Sequence, residues 1–205
     1  MRTAGIILAG GRSTRMGGDE KSLLTLGGKP LLRHVLDRLK PQVTTVVLNA
    51  NGDPSRFAAF GLPVVADKTN DWPGPLAGIL AGMEWAAGQN IPHILTVPAD
   101  TPFIPGDLAA KLSAASVKAG AIAIVASEGA RHPVVALWPV SLKSALAQFL
   151  AHDGNRKVTS FADRHGAVSI DFPKLALNAA ADPFFNVNTP DDLAQAEAIL
   201  KAMPA

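Results

Sequence analysis

The 205-residue sequence contains no cysteine and no tyrosine. Without cysteine there is no disulfide framework, no thiolate nucleophile and no sulfur-ligated zinc or iron–sulfur centre. Charge is scarce: 18 % of residues are charged and the net charge is +2, with a sequence pI near 9.0. The basic residues form no long run and are not interleaved with aromatics, which argues against a nucleic-acid surface. Long hydrophobic runs are missing as well. None approaches the roughly 18 apolar residues of a membrane span, and the apolar part of "MRTAGIILAGG" is too short for a secretory signal. The expectation is a cytoplasmic chain that meets neither membrane nor nucleic acid.

What is present is 48 % apolar residues, enough to fill the core of one α/β domain spanning residues 1–205. Short β-rich runs alternate with helical patterns. Ala4–Ala9, Thr44–Asn49, "LPVVAD" ending at Asp67, His93–Asp100, "AIAIVA", "PVVALW" and "AVSIDF" read as strands. "PLLRHVLDRLK" reads as a helix with Pro30 at its first position, "DPSRFAAF" as a short helix capped by Asp53, and "GPLAGILAGMEWAAGQ" as a long helix from near Pro75. "PGDLAAKLSAASVKAG", Ser141–Ala151 and Asn155–His165 follow, and "TPDDLAQAEAILKAM" is a helix with Thr189 as its cap. This alternation predicts a Rossmann-like three-layer fold with a mostly parallel central sheet covered on both faces. Ligands bind past the carboxyl ends of such strands, which singles out Gly10–Gly11, Asn49, Asp67, Asp100, His132 and Asn186.

The stretch "GIILAGGRSTRMGGDEKSLLTL" combines a buried strand with two glycine pairs and the cations Arg12, Arg15 and Lys21. Bare backbone N–H groups with nearby cations suit a polyphosphate. Neither G-x-G-x-x-G nor G-x-x-x-x-G-K-[ST] fits the spacing, so the dinucleotide and Walker loops are excluded. By spacing alone Asp100 reads equally as a Mg²⁺ ligand beside phosphates or as a cap on the turn before Pro105. Asp67 reads as a turn aspartate or a ligand contact. The Asn49 amide, which both donates and accepts, suits a base edge or ribose.

"LAGGRSTRMGGDEKSLL" closely resembles the signature of the nucleotidyltransferases that act on the molybdenum cofactor. The resemblance continues through "GGKPLLRHV", "WPGPLAGI", "VPADTPFIP", "GNRKV" and "FFNVNTPDDL", in the family's order and over most of the chain. "GPLAG" with "NVNTPDDL" points to the guanylyltransferase (MobA) branch. One departure is visible: the family has Asp directly before the lysine, whereas here Glu20 precedes Lys21 and Asp19 lies one earlier. The lysine's role carries over; that of the acid is open.

The resemblance implies transfer of GMP from GTP to the terminal phosphate of molybdopterin, with release of pyrophosphate and Mg²⁺ as cofactor. It implies a nucleotide-binding N-terminal part and an acceptor-binding C-terminal part. Arg15, Lys21 and Asp100 would be catalytic. Leu8, Ala9, Gly10, Gly11, Lys21, Asn49, Asp67 and Asp100 would bind the nucleotide, and Asp100 the metal. His132, Arg156, Asn186 and Asn188 would face the acceptor, with Asn186 preferred over Asn188 as the direct contact. A monomer is expected, in transient contact with cofactor insertion chaperones and an accessory GTP-binding protein. The rival readings are a cytidylyltransferase of the same cofactor, a sugar-phosphate nucleotidyltransferase (whose G-G-x-G-T-R differs from Gly-Gly-Arg-Ser-Thr-Arg) and a catalytically silent cofactor-binding protein.

Overall fold

The structure is a computed structural model and describes residues 1–9, 21–68, 74–153, 156–175 and 181–203. Its strands and α-helices, in chain order, are β1 (Thr3–Leu8), β2 (Thr25–Leu26), β3 (Lys29–Pro30), α1 (Leu31–Leu39), β4 (Thr45–Asn49), β5 (Val64–Val65), α2 (Pro75–Gly88), β6 (His93–Pro98), α3 (Leu108–Ala119), β7 (Ala123–Ser127), β8 (Ala130–Pro139), α4 (Lys143–His152), α5 (Val158–Arg164), β9 (Val168–Asp171) and α6 (Pro190–Ala202). Seven strands form one sheet in the order β5-β4-β1-β6-β8-β7-β9. The β1–β4, β1–β6, β4–β5 and β7–β9 pairings are parallel. Only β8 is antiparallel to its neighbours, β6 and β7. The carboxyl ends of β1, β4, β5, β6, β7 and β9 therefore share one edge of the sheet, and β8 starts there.

Side-chain alternation along the strands fills both faces. Ile7, Leu48, Leu95, Val97, Val125 and Leu137 join one core with α1 and α3. Ile6, Val47, Ile94, Ile124, Ala136 and Trp138 join the other with α2, α4 and α5. Strands buried on both sides read as continuous apolar runs, which is how they appear in the sequence. Helix α2 lies almost on the sheet: a Cβ at Gly82 would come within 2.8 Å of Ile6 Cγ1. A third cluster packs α6 against the β2–β3 hairpin through Leu26, Leu31, Phe103, Val187, Ala196 and Ile199. It anchors the chain on either side of Asn188.

Several boundaries differ from expectation. Pro30 precedes the helix rather than opening it: at φ −56° and ψ 146° it is extended and pairs with Thr25 in the β2–β3 hairpin. A fixed φ suits either state, and pairing decides. The third long helix begins at Leu108, three positions beyond the Pro105 opening. The helix placed over Asn155–His165 spans Val158–Arg164, because Lys157 is extended; Asn155 lies outside the described residues. "LPVVAD" shrinks to Val64–Val65 at the sheet's edge. Asp53 caps the turn over Pro54–Phe60 as expected, accepting from Ser55 N, and this turn is 3-10 in type.

Candidate nucleotide-transfer site

Lys21 begins a short turn before the β2–β3 hairpin, Asp100 follows β6, and Asn188 precedes α6. Far apart in sequence, they meet at the carboxyl edge. Lys21 Nζ donates to Asp100 Oδ2 and to Asn188 Oδ1. The ion pair is partly covered, with 17 % and 19 % of the two side chains exposed. An ammonium has three donors, so among the described residues one remains beyond these two contacts. Val187 N–H donates to the Asp100 carbonyl at 3.0 Å, which holds the two segments together.

Asn188 is fixed from its other side. Its N–H donates to Asp192 Oδ2 at 2.8 Å. Asp192 also accepts from Thr189 N–H, and Thr189 Oγ1 accepts from Asp192 N–H, completing a capping box on α6. The Asn188 backbone bond is the largest influence holding the Asp192 carboxyl below its ordinary value; burial opposes it, and Thr189 and Lys21 add to it.

Asp100 Oδ1 is buried and has no hydrogen-bond partner among the described residues. An orphaned carboxylate oxygen beside a cation is an acceptor left open to a metal ion or an N–H or O–H group. It fits Mg²⁺, which takes one or two carboxylates and completes its octahedron with phosphate oxygens and water. The described residues contain no cluster of three acidic or histidine side chains able to hold a metal.

Asn49 and Asp67 also meet. Asn49 Nδ2 donates to Asp67 Oδ1 at 2.9 Å and to the Val65 carbonyl at 3.2 Å. Asn51, which the sequence reading passed over, donates from Nδ2 to Asp67 Oδ2 at 2.8 Å and accepts from Asp67 N–H at 2.9 Å. Both amide hydrogens of Asn49 are thus engaged within the protein. Its Oδ1 lies against α2, where a Cβ at Gly78 would come within 2.2 Å. Asn51 stands two residues past Asn49, on the loop that passes Asp67; an asparagine at that offset was its only signal.

Leu8 and Ala9 are in place at the end of β1, but their ladder groups are used: Ala9 N–H donates to the Asn49 carbonyl at 2.9 Å and the Leu8 carbonyl accepts from Ala99 at 3.0 Å. The remaining glycine-loop residues, Gly10, Gly11, Arg12, Arg15, Asp19 and Glu20, lie outside the described residues, as does Trp72. Of the residues expected to face the acceptor, Asn186 accepts through Oδ1 from Thr101 Oγ1 at 2.7 Å. Of the two asparagines it is Asn188, not Asn186, that reaches Lys21. His132 stands at the same edge, 2.6 Å from Ser127 Oγ. Arg156 is exposed just ahead of α5.

The fold is shared with other solved structures. A solved structure of molybdopterin-guanine dinucleotide biosynthesis protein A from Archaeoglobus fulgidus superposes with TM-score 0.74 at 24 % identity, covering 98 % of this chain and 100 % of that one. A CMP:2-keto-3-deoxy-manno-octonic acid synthetase complexed with CTP superposes with TM-score 0.72 at 16 % identity, covering 98 % and 99 %. Residues 5–168 match the model of the MobA-like NTP transferase domain. A molybdenum cofactor guanylyltransferase from Mesorhizobium japonicum is 51 % identical over 98 % of this chain and 97 % of its own length. The chain belongs to the MobA-like NTP transferase family and is a nucleotidyltransferase. No helix among the described residues is long and apolar enough to cross a membrane.

Proposed function

We propose that the protein transfers GMP from GTP to the terminal phosphate of molybdopterin, forming molybdopterin guanine dinucleotide and pyrophosphate. The observation that carries this reading is the meeting of Lys21, Asp100 and Asn188 at the carboxyl edge. Relatives about half identical over nearly the whole chain, named guanylyltransferases, supply the choice of base and acceptor. The fold alone does not choose, since it is shared with an enzyme complexed with CTP.

The nucleophile is a phosphate monoester oxygen with a second pKa near 6, largely ionised at neutral pH. No general base is required. The barrier is the approach of one anion to another, so catalysis rests on alignment and charge compensation. Lys21 would bind the triphosphate through its remaining donor and balance charge as pyrophosphate leaves. Asn188 and the Asp100 carboxylate orient that ammonium. Arg15 and the Gly10–Gly11 backbone would add donors along the phosphates. Because the ladder groups of Leu8 and Ala9 are occupied, N–H donors toward the guanine would come from the two glycines. Asp67, steadied by Asn49 and Asn51, would take N–H groups of the nucleotide, leaving Asn49 as a support. Asp100 would hold Mg²⁺, which when bound withdraws charge from phosphate oxygens. His132, Arg156 and Asn186 would face the acceptor.

The test is incubation with molybdopterin, Mg²⁺ and each of the four nucleoside triphosphates in turn, reading pyrophosphate release and the dinucleotide product. GTP alone should turn over efficiently. A clear preference for CTP would reassign the chain to cytidylyl transfer. Binding of the pterin with no turnover of any nucleotide would leave a carrier.

A further inference from the structure

The carboxyl edge holds a second polar cluster, at the β7–β8 hairpin. Ser127 ends β7, His132 lies in β8, and Asp182 follows the isolated bridge Leu175↔Ala181. Ser127 is only 1 % exposed. Its hydroxyl donates to Asp182 Oδ1 at 3.0 Å and stands 2.6 Å from His132 Nε2. A hydroxyl has one hydrogen. With that hydrogen on a carboxylate, the contact with His132 requires Nε2 to be the donor. Asp182 Oδ2, at 3.6 Å from the same nitrogen, is too far for a hydrogen bond but carries the charge that favours an N–H there. Phe184 backs the ring with centroids 5.2 Å apart, and Phe172 meets Phe184 edge-on.

This is not a hydrolase triad. A nucleophilic serine passes its proton to histidine, and the acid sits behind the histidine. Here the buried serine lies between the two and gives its hydrogen to the acid. What the arrangement does is fix the plane and tautomer of an imidazole that keeps 22 % of its side chain exposed. Nε2 is occupied, which leaves Nδ1 as the ring nitrogen with no hydrogen bond among the described residues. The segment bearing Asp182 continues to Asn186 on Thr101 and Asn188 on Lys21, and Asp182 Oδ1 braces it by accepting from Phe184 N–H at 2.8 Å.

We propose that Ser127 and Asp182 are positioning residues for the acceptor: they hold His132 as the Nε2–H tautomer, so that its Nδ1 lone pair accepts a hydrogen bond from a ring N–H of a heterocyclic acceptor. The proposal rests on the reading of His132 as an acceptor-side residue. Two measurements test it. Nitrogen-15 NMR of the ligand-free protein, with the ring neutral, should show Nε2–H at His132 in the parent and loss of that preference in Ser127→Ala. A protonated Nδ1 in the parent overturns the proposal. In steady-state kinetics, Ser127→Ala and Asp182→Ala should raise the acceptor KM about tenfold, with kcat and the GTP KM within twofold. Asp182→Asn, whose amide oxygen still accepts from Ser127, should recover most of that loss. Asp182→Ala should add nothing in a His132→Ala background, as expected for residues acting through one another. An undiminished effect there, or an equal effect on GTP, means that Asp182 merely braces the loop and overturns the proposal. The tautomer is read without substrate, so a failed guanylyl transfer and a wrong tautomer are separate results.

Discussion

The Lys21–Asp100–Asn188 centre and the Ser127–His132–Asp182 cluster share one sheet edge and one bridging segment, yet different forces hold them. The first is ionic and leaves a buried carboxylate oxygen without a partner among the described residues. The second is a chain of hydrogen bonds from His132 through Ser127 to Asp182, with the ring backed by an aromatic. An open, charged centre suits a group that must bind a polyphosphate and release pyrophosphate. A hydrogen-bonded cluster around one imidazole suits a group that orients a substrate without changing charge. Losses at the first should therefore appear in turnover, and losses at the second in acceptor affinity.

The sharpest way to break this contrast is Asp100→Ala or Lys21→Ala. Each should lower kcat by about a hundredfold or more with little change in melting temperature. Turnover near that of the parent in both folded variants would end the proposed mechanism. Asn188→Ala should cost less, about tenfold in kcat, because the ammonium keeps its carboxylate partner. An effect on acceptor KM alone would move Asn188 to the other side of the comparison. Gly78→Ala sharpens the nucleotide side: a Cβ 2.2 Å from Asn49 Oδ1 should displace the amide that steadies Asp67. About 1–3 kcal/mol of stability should go with it by overpacking, read as a lower melting temperature and a raised GTP KM.

The smallest effect is expected at Asp192. Its carboxyl lies below the ordinary value of 3.8, chiefly through the Asn188 N–H bond. A depressed carboxyl stabilises the fold fully above its unfolded value and loses that contribution as pH falls through the lower folded value. Melting followed from pH 6 down to about pH 2 should show Asp192→Asn with a flatter decline than the parent below about pH 4. Identical slopes would show that the capping box contributes through geometry rather than charge.

Much of the fold was legible because it follows from local pattern. Continuous apolar strands alternating with helices imply a mostly parallel sheet covered on both faces, and the Thr189 cap ahead of the last helix is a start signal that needs no tertiary help. Where tertiary pairing competes, the sequence misleads: Pro30 reads as a helix start, and only its pairing with Thr25 makes it extended. Asn51 and Ser127 were invisible for a related reason, since a small polar residue after a strand is ordinary until another segment is seen against it.

Sequence by itself determined the strand–helix order, the family and the residue types placed at strand ends, because these follow from side-chain periodicity and from motifs carried in contiguous stretches. Tertiary structure alone decided that Asn188 rather than Asn186 meets Lys21, that Asn49 supports Asp67, and that Ser127 stands between His132 and Asp182. Those choices depend on distances of a few ångströms between segments far apart in the chain, and sheet register and helix packing set such distances only once the chain has folded.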